Sequence, residues 1–225
     1  MKISIHQPQY LPWIHYFKKI LIADIFIFLD NVQYQKNSLI NRNQLYNNRN
    51  FWLTIPIKNP SNKKICEVKI DNSKNWKKKH LDTIKNIYSK KINFQFFLEY
   101  LLPIYSKNYE YLADFNIDLI QSILKNYFKK NIKIYRQKNI ITNEKGSKLI
   151  VEICKYFGAN FYISGKGGKN YLDEDSFLLN NINLQYLDYN FLNEKKLKNN
   201  YIFKPELSAL DLILNIKHDF DDYIK

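Results

Sequence analysis

The sequence predicts an α/β fold in which a mainly parallel sheet is flanked by helices and carries a β-hairpin and a helical insertion. Strand-like and helix-like segments alternate at both ends of the chain, which is typical of a parallel sheet with helical crossovers. The run 25–29 is wholly apolar, as expected for a strand buried on both faces. With 225 residues and 45% hydrophobic content, the chain can fill one large core, so we expect a single domain over 1–225.

The first thirty residues predict a strand–loop–helix–strand unit. A strand begins near Ile3 and cannot continue past Pro8, because proline has no N–H for the sheet ladder. A helix then fits from about Pro12, and the apolar strand 25–29 follows it. In such units ligands bind beyond the carboxyl ends of the strands. The polar residues at these two strand ends are His6, Gln7 and Asp30.

The middle of the chain predicts a hairpin followed by helices. Two β-rich runs, 51–57 and 65–70, are separated by a turn-forming cluster, and Pro56 indicates either an edge strand or the end of the strand. Helical periodicity then covers three segments, which make up a helical elaboration at 70–130. They are 76–87, 94–105 and 109–128.

The last third returns to alternating strands and helices. Strands are expected at 132–136, 160–163 and 184–187, with a helix that Gly158 ends and a C-terminal helix at 207–215. Three of the five glycines, Gly165, Gly167 and Gly168, directly follow the strand 160–163. Such a cluster permits positive φ angles and lets backbone N–H groups approach an anion, with Lys166 or Lys169 adding charge. We expect phosphate or carboxylate binding here; a glycine-rich turn without a ligand is the alternative.

The net charge of +14 suggests nucleic acid, an anionic substrate or a membrane surface. However, only three of the 35 basic residues are arginine, and Asn, Ile, Lys and Tyr are abundant throughout, as an AT-rich genome would produce. We therefore interpret the bulk charge as composition. Cys66 and Cys154 form neither a disulfide framework nor a metal motif, and no metal is expected. This cysteine usage favours a reduced, cytoplasmic protein. No apolar stretch reaches about 18 residues, so we expect no transmembrane segment.

Two polar residues are candidates on chemical grounds. Arg42 stands between two asparagines, and its planar guanidinium suits bidentate contact with phosphate or carboxylate, which lysine cannot copy. A surface arginine is the alternative, because Arg49 also lies among asparagines. His6 is placed to act as a general base or to bind phosphate, although a lone histidine is more often structural. His15 lies on the predicted helix, where an exposed side chain would need no function.

Several short motifs follow one another from residue 3 to about residue 215. They are His6-Gln-Pro-Gln-Tyr-Leu-Pro-Trp13, Ala23-Asp24 with Leu29-Asp30-x-Val-Gln33, Asn41-Arg-Asn43, Trp52-Leu-Thr-Ile-Pro56, Ser164-Gly-x-Gly-Gly168 with Tyr171-Leu-Asp173, and Leu207-Ser-x-Leu-Asp211. Together they closely resemble the WbqC-like family. That family usually has glycine where this chain has His15, so no function is carried over to that histidine.

The resemblance implies a bacterial cytoplasmic protein of O-antigen and other surface-polysaccharide biosynthesis, in which some members decorate amino sugars with an aminoacyl group. We expect an enzyme that transfers an acyl or aminoacyl (glycyl-type) group to the amine of a nucleotide-linked amino sugar. Aminoacyl-tRNA or another activated acyl donor is the expected co-substrate, so tRNA is a candidate partner. The alternatives are a nucleotidyl-transfer or adenylating enzyme of the HIGH type, and a non-catalytic protein that binds sugar nucleotide or RNA.

Acyl transfer requires a base, oxyanion donors and cations for a diphosphate. We assign the base to His6 or Asp30, the oxyanion donors to Asn41 or Asn43, and the diphosphate clamp to Arg42 with the glycine loop. The full set of substrate-binding candidates, which includes this clamp, lies in the family motifs. They are Gln7, Tyr10, Trp13, Gln33, Lys36, Arg42, Ser164, Gly165, Lys166, Gly167, Gly168, Tyr171 and Asp173.

Overall fold

Residues 1–187, 201, 204 and 206–216 are described by the computed structural model. Their contacts group them into two units. The first unit holds Met1–Gln7, His15–Asn31 and 132–187, and the second holds Pro8–Ile14, Val32–Asn131 and the described residues from 201 onward. The predicted organisation as one domain stays a prediction.

The regular elements are numbered along the chain. The strands are β1 (Lys2–His6), β2 (Ile25–Phe28), β3 (Arg42–Asn47), β4 (Arg49–Thr54), β5 (Ile57–Lys58), β6 (Lys69–Ile70), β7 (Lys133–Arg136), β8 (Phe161–Ser164) and β9 (Asn183–Tyr186). The helices are α1 (Ile14–Leu21), α2 (Trp76–Tyr88), α3 (Phe94–Phe96), α4 (Leu102–Ser106), α5 (Leu112–Asn126), α6 (Gly146–Tyr156), α7 (Glu174–Leu178) and α8 (Ala209–Asn215).

A five-stranded parallel sheet, in the order β7-β2-β1-β8-β9, forms the first unit, and helices flank it. All four residues of β2 are buried, as its uninterrupted apolar sequence predicted. The helix α6 ends before Gly158, which has φ +66 and so takes the left-handed conformation expected of a helix-terminating glycine. The predicted α/β fold with a mainly parallel sheet is confirmed.

The parallel register brings several strand ends to the same edge of this sheet, here called the carboxyl edge. His6 pairs with Phe28, and Phe28 pairs with Arg136 on its other side. On the opposite flank of β1, Ser4 pairs with Ile163, so β8 also ends here, at Ser164. Neighbouring strands lie about 4.8 Å apart, so the polar residues that follow them are close neighbours.

The hairpin of the second unit differs from the predicted one. β4 pairs antiparallel with β3 and not with the run 65–70, the first half of which forms a 3₁₀ turn at Ile65–Glu67. Only the two-residue pairing of β5 with β6 remains of the predicted hairpin. The strand β3 was missed because it has few β-branched or aromatic residues. Its connection to β4 turns at Asn48, which has φ +59, a conformation that asparagine tolerates well.

The helices of the second unit follow the predicted order. α2 and α5 occupy the first and third predicted segments, but the segment 94–105 is interrupted by a π-helical turn at Phe97–Leu101. The interruption lies directly before Pro103, whose missing N–H cannot complete an α-helical ladder. None of the helices in the described ranges is long and apolar enough to cross a membrane.

Candidate functional site

His6 closes β1 at the carboxyl edge as a half-buried, neutral imidazole. Its Nδ1 lies 3.2 Å from the carbonyl oxygen of Gln7 and therefore carries the proton, which leaves Nε2 with a free lone pair. The Tyr16 ring packs edge-on against the imidazole at 4.8 Å, and the Tyr16 hydroxyl donates to the same Gln7 carbonyl at 3.0 Å. Burial, assisted by the Lys19 charge, lowers the pKa of His6 to about 3.

Lys19 is a functional candidate that the sequence analysis missed. Its side chain runs from α1 to β1, where Nζ donates to the carbonyl oxygen of Ile5 at 2.7 Å, and the residue is only 4% exposed. Burial lowers the pKa of Lys19 to about 7. A buried lysine next to the strand end that carries His6 thus titrates near neutral pH, where a general base works best.

Asp30 also lies at the carboxyl edge, but its carboxylate is held in a buried ion pair. It is completely buried, and one oxygen accepts a hydrogen bond from Nε of Arg136 at 2.6 Å. The other oxygen accepts from the backbone N–H of Lys138 at 2.9 Å. This charge-assisted pair ties the chain after β2 to the chain after β7, and it favours His6 over Asp30 as the predicted base.

The glycine-rich segment after β8 forms a 3₁₀ turn at Lys166–Asn170. The expectation of positive φ angles is wrong here, because Gly165 has φ −71 and the positive-φ glycines in the described ranges are Gly146 and Gly158. The need for glycine is steric at Gly168, where a Cβ would lie 2.1 Å from Oγ and 3.2 Å from Cβ of Ser164. The turn therefore closes tightly over the end of β8, while Gly167 has open space around it.

The other candidates of the first unit divide into anchored and exposed groups. Ser164 is buried, and its hydroxyl donates to the carbonyl oxygen of Gly165 at 3.2 Å. Asp173 accepts from the hydroxyl of Ser176, so its carboxylate organises the start of α7. Lys166 is exposed, and Tyr171 is 70% exposed. Within the first unit, the carboxyl edge thus brings together His6, Gln7, Asp30 and the segment 164–168.

Arg42 opens β3 in the second unit, where it is half-buried. Its guanidinium carbon lies 4.3 Å from the ring centroid of Trp52, a cation–π contact, and Nη2 donates to the carbonyl oxygen of Asn37 at 2.7 Å. Nε is buried and has no hydrogen-bond partner among the described residues. A guanidinium that is fixed in position and has an unused N–H donor at Nε suits an anionic ligand. The role of Arg42 as a diphosphate clamp remains a prediction.

The two asparagines beside Arg42 are committed to the backbone. The amide of Asn41 donates to the carbonyl oxygen of Ile55 at 2.9 Å, and that of Asn43 donates to the carbonyl oxygen of Leu11 at 2.7 Å. Both side chains are buried, at 8% and 3% exposure. An oxyanion donor must present an N–H that no other acceptor occupies to the reacting carbonyl oxygen. The geometry favours a structural role for both amides.

The remaining substrate-binding candidates of the second unit differ in their surroundings. Tyr10 is completely buried, and its hydroxyl lies 2.9 Å from Nδ1 of His80, so this side chain belongs to the core. Trp13 forms an antiparallel bridge with Ser208, and Gln33 forms one with Lys64. Lys36 is exposed. In the first unit, His15, which was expected to be exposed, is 3% exposed, because its face of α1 is turned inward.

Comparison with known proteins agrees with the motifs. The chain is 29% identical to the uncharacterised protein Rv1507c of Mycobacterium tuberculosis, over all of this chain and 97% of that protein. No solved structure is significantly similar to the present chain. The model of the WbqC-like protein family matches residues 7–222, which is nearly the whole chain. The chain belongs to the WbqC-like protein family.

Proposed function

We propose that this protein transfers an acyl or aminoacyl group to the amine of a nucleotide-linked amino sugar. Its family relates the chain to polysaccharide biosynthesis. The observation that carries the proposal is the neutral imidazole of His6, held with Nε2 unprotonated at the carboxyl edge beside the buried amine of Lys19. Ligands of parallel α/β sheets bind at this edge.

The reaction needs a proton acceptor because a protonated sugar amine has no lone pair with which to attack. In the proposed step, the sugar nitrogen attacks the acyl carbon, and the new C–N bond forms as the amine gives up a proton to Nε2 of His6. The bond from the acyl carbon to the carrier oxygen then breaks, and the proton passes to that leaving oxygen. The contact of Nδ1 with Gln7 and the edge-on Tyr16 ring fix the orientation of the base.

Lys19 sets the charge next to this base. Protonated Lys19 lowers the pKa of His6, so loss of the lysine proton makes the imidazole a stronger acceptor. Since the pKa of Lys19 is about 7, the proposed activity rises with pH through neutrality and levels off above it. The Asp30–Arg136 pair keeps the neighbouring loops in place and leaves the proton to the histidine.

The test is a direct transfer assay with defined probes. The protein is incubated with UDP-glucosamine, which has a free amine, and glycyl-tRNA, and the glycylated sugar nucleotide is sought by mass spectrometry. His6→Asn preserves an N–H donor at the position of Nδ1 but removes the base, so we expect product formation to fall by about 10²- to 10⁴-fold. His15→Asn, another buried histidine of the same unit, is the matched control and retains activity.

The outcomes separate the candidate functions. Product that depends on His6 but not on His15 supports transfer. When ATP and glycine are supplied in place of glycyl-tRNA, release of pyrophosphate without glycylation indicates an adenylating enzyme. Saturable binding of UDP-glucosamine without turnover, with several acyl donors supplied, indicates a binding protein. Either of the last two results contradicts the proposal.

A further inference from the structure

A cavity of about 410 Å³ lies in the second unit, and none of the described residues that line it belongs to the carboxyl edge. It is lined by the end of α2, the turn between β3 and β4, and α8 with the described residues before it. Its volume falls within the range of small-molecule sites. The sequence motif that ends in Asp211 contributes to this cavity, although it received no role above.

A carboxylate held by two tyrosines forms part of the wall. Asp211 is 6% exposed, and its Oδ1 accepts from the hydroxyl of Tyr88 at 2.7 Å while Oδ2 accepts from the hydroxyl of Tyr201. Each carboxylate oxygen can accept a second hydrogen bond, so the group still has capacity for a ligand donor. Burial raises the pKa of Asp211, which indicates a desolvated position where further hydrogen-bond donors are favourable.

Two lysines also line the cavity. Nζ of Lys204 lies 3.6 Å from the centroid of the Tyr46 ring, and Lys91 follows the end of α2. Both charges act on Asp211 and oppose the rise of its pKa, so both lie within electrostatic range of the carboxylate. A lysine ammonium has three N–H donors, so Lys204 can keep its cation–π contact with Tyr46 and still bind an anion.

These features favour a ligand that has an anionic group at one end and hydroxyl groups at the other. A bare anion is attracted by the lysines but repelled by the buried carboxylate, whereas a neutral polyol satisfies Asp211 and leaves the lysines unused. A molecule that carries a phosphate on a hydroxylated ring satisfies both. We propose that this cavity binds a sugar phosphate, with the phosphate on Lys91 and Lys204 and ring hydroxyls donating to Asp211. This proposal does not rest on the transfer reaction proposed above.

Calorimetric titration of the full chain with glucose 1-phosphate, glucose and inorganic phosphate tests it. We expect the sugar phosphate to bind more tightly than either fragment. Lys91→Gln removes one charge-assisted contact and weakens binding about tenfold, and Asp211→Asn weakens it by a similar factor. Lys90→Gln removes the same charge from the neighbouring residue, which does not line the cavity, and leaves the affinity within about twofold.

The following results would overturn the proposal that the cavity binds a sugar phosphate. Absence of binding at millimolar glucose 1-phosphate overturns the proposal. Equal affinity for inorganic phosphate, unaffected by Asp211→Asn, shows an anion site without sugar recognition and also overturns it. If Lys90→Gln and Lys91→Gln weaken the binding of glucose 1-phosphate equally, the ligand binds outside this cavity and the proposal is wrong. If Asp211→Asn does not fold, the two lysine variants still give the answer, because both residues are exposed.

Discussion

Replacing Lys19 with methionine tests whether a buried amine limits the stability of this protein. Methionine keeps an unbranched apolar stem and removes the charge. The Lys19 side chain is 4% exposed, and its Nζ contacts the carbonyl of Ile5. Because burial penalises the charged form, we expect Lys19→Met to raise the free energy of unfolding at neutral pH.

The magnitude follows from the pKa of Lys19, which is lowered from 10.5 to about 7. Between these two values the unfolded chain binds a proton that the folded protein does not, so the free energy of unfolding rises with pH across this window. At about 1.36 kcal/mol per pH unit, the whole interval corresponds to about 5 kcal/mol. From about pH 7 to about pH 9, the wild type should gain about 2 kcal/mol relative to Lys19→Met, and little should change below about pH 6.

The assay is urea unfolding at several pH values, with the wild type and the variant compared at each. Other groups titrate in both proteins, so the difference between the two curves isolates Lys19. Lys2→Met removes the same charge from an exposed position on β1, the strand that Lys19 contacts, and serves as the control. Parallel stability curves for wild type and Lys19→Met across the whole pH range would refute the reasoning.

Three further expectations have separate readouts. Gly168→Ala should lower the free energy of unfolding by about 1–3 kcal/mol because its Cβ meets the Ser164 side chain, whereas Gly167→Ala should stay within about 0.5 kcal/mol; thermal unfolding compares them. Arg42→Lys should weaken the binding of UDP-glucosamine almost as much as Arg42→Ala, and unchanged affinity in both folded variants would remove Arg42 from the site. If the net charge of +14 reflects composition, tRNA binding should be weak and lost by physiological salt; salt-resistant binding in a filter assay would contradict this interpretation.

The sheet was predictable because a buried strand requires a distinctive apolar sequence. β2 is a wholly apolar run, and prolines end the strand before α1, so the order of elements at the N-terminus followed directly. The strand β3 was not predictable in the same way, because it is stabilised by pairing with β4 and not by its own propensity. The interruption at Phe97–Leu101 depends on how Pro103 is accommodated, which periodicity does not reveal.

The candidate site was only partly predictable. His6 and Asp30 were located by the rule that ligands bind at the carboxyl ends of parallel strands, which requires only the strand assignments. The ion pair of Asp30 with Arg136 joins residues 106 positions apart, and no local pattern indicates it. Lys19 was missed because a helical lysine is normally solvated. One signal was present, since Lys19 shares a helical face with Tyr16, an aromatic residue three positions earlier that is also buried.

The proposed base, His6, needs a compensating negative charge before it can accept a proton. His6 is desolvated and lies near the Lys19 charge, and both effects disfavour the imidazolium ion. The carboxylate of Asp30 does not offset them, because the guanidinium of Arg136 already neutralises it. For the proposed transfer, the compensating negative charge would come from the substrate. A diphosphate bound nearby stabilises an imidazolium ion, so we expect binding of the proposed nucleotide-linked substrate to raise the pKa of His6. Under this proposal, the base becomes effective only when the anionic substrate is in place.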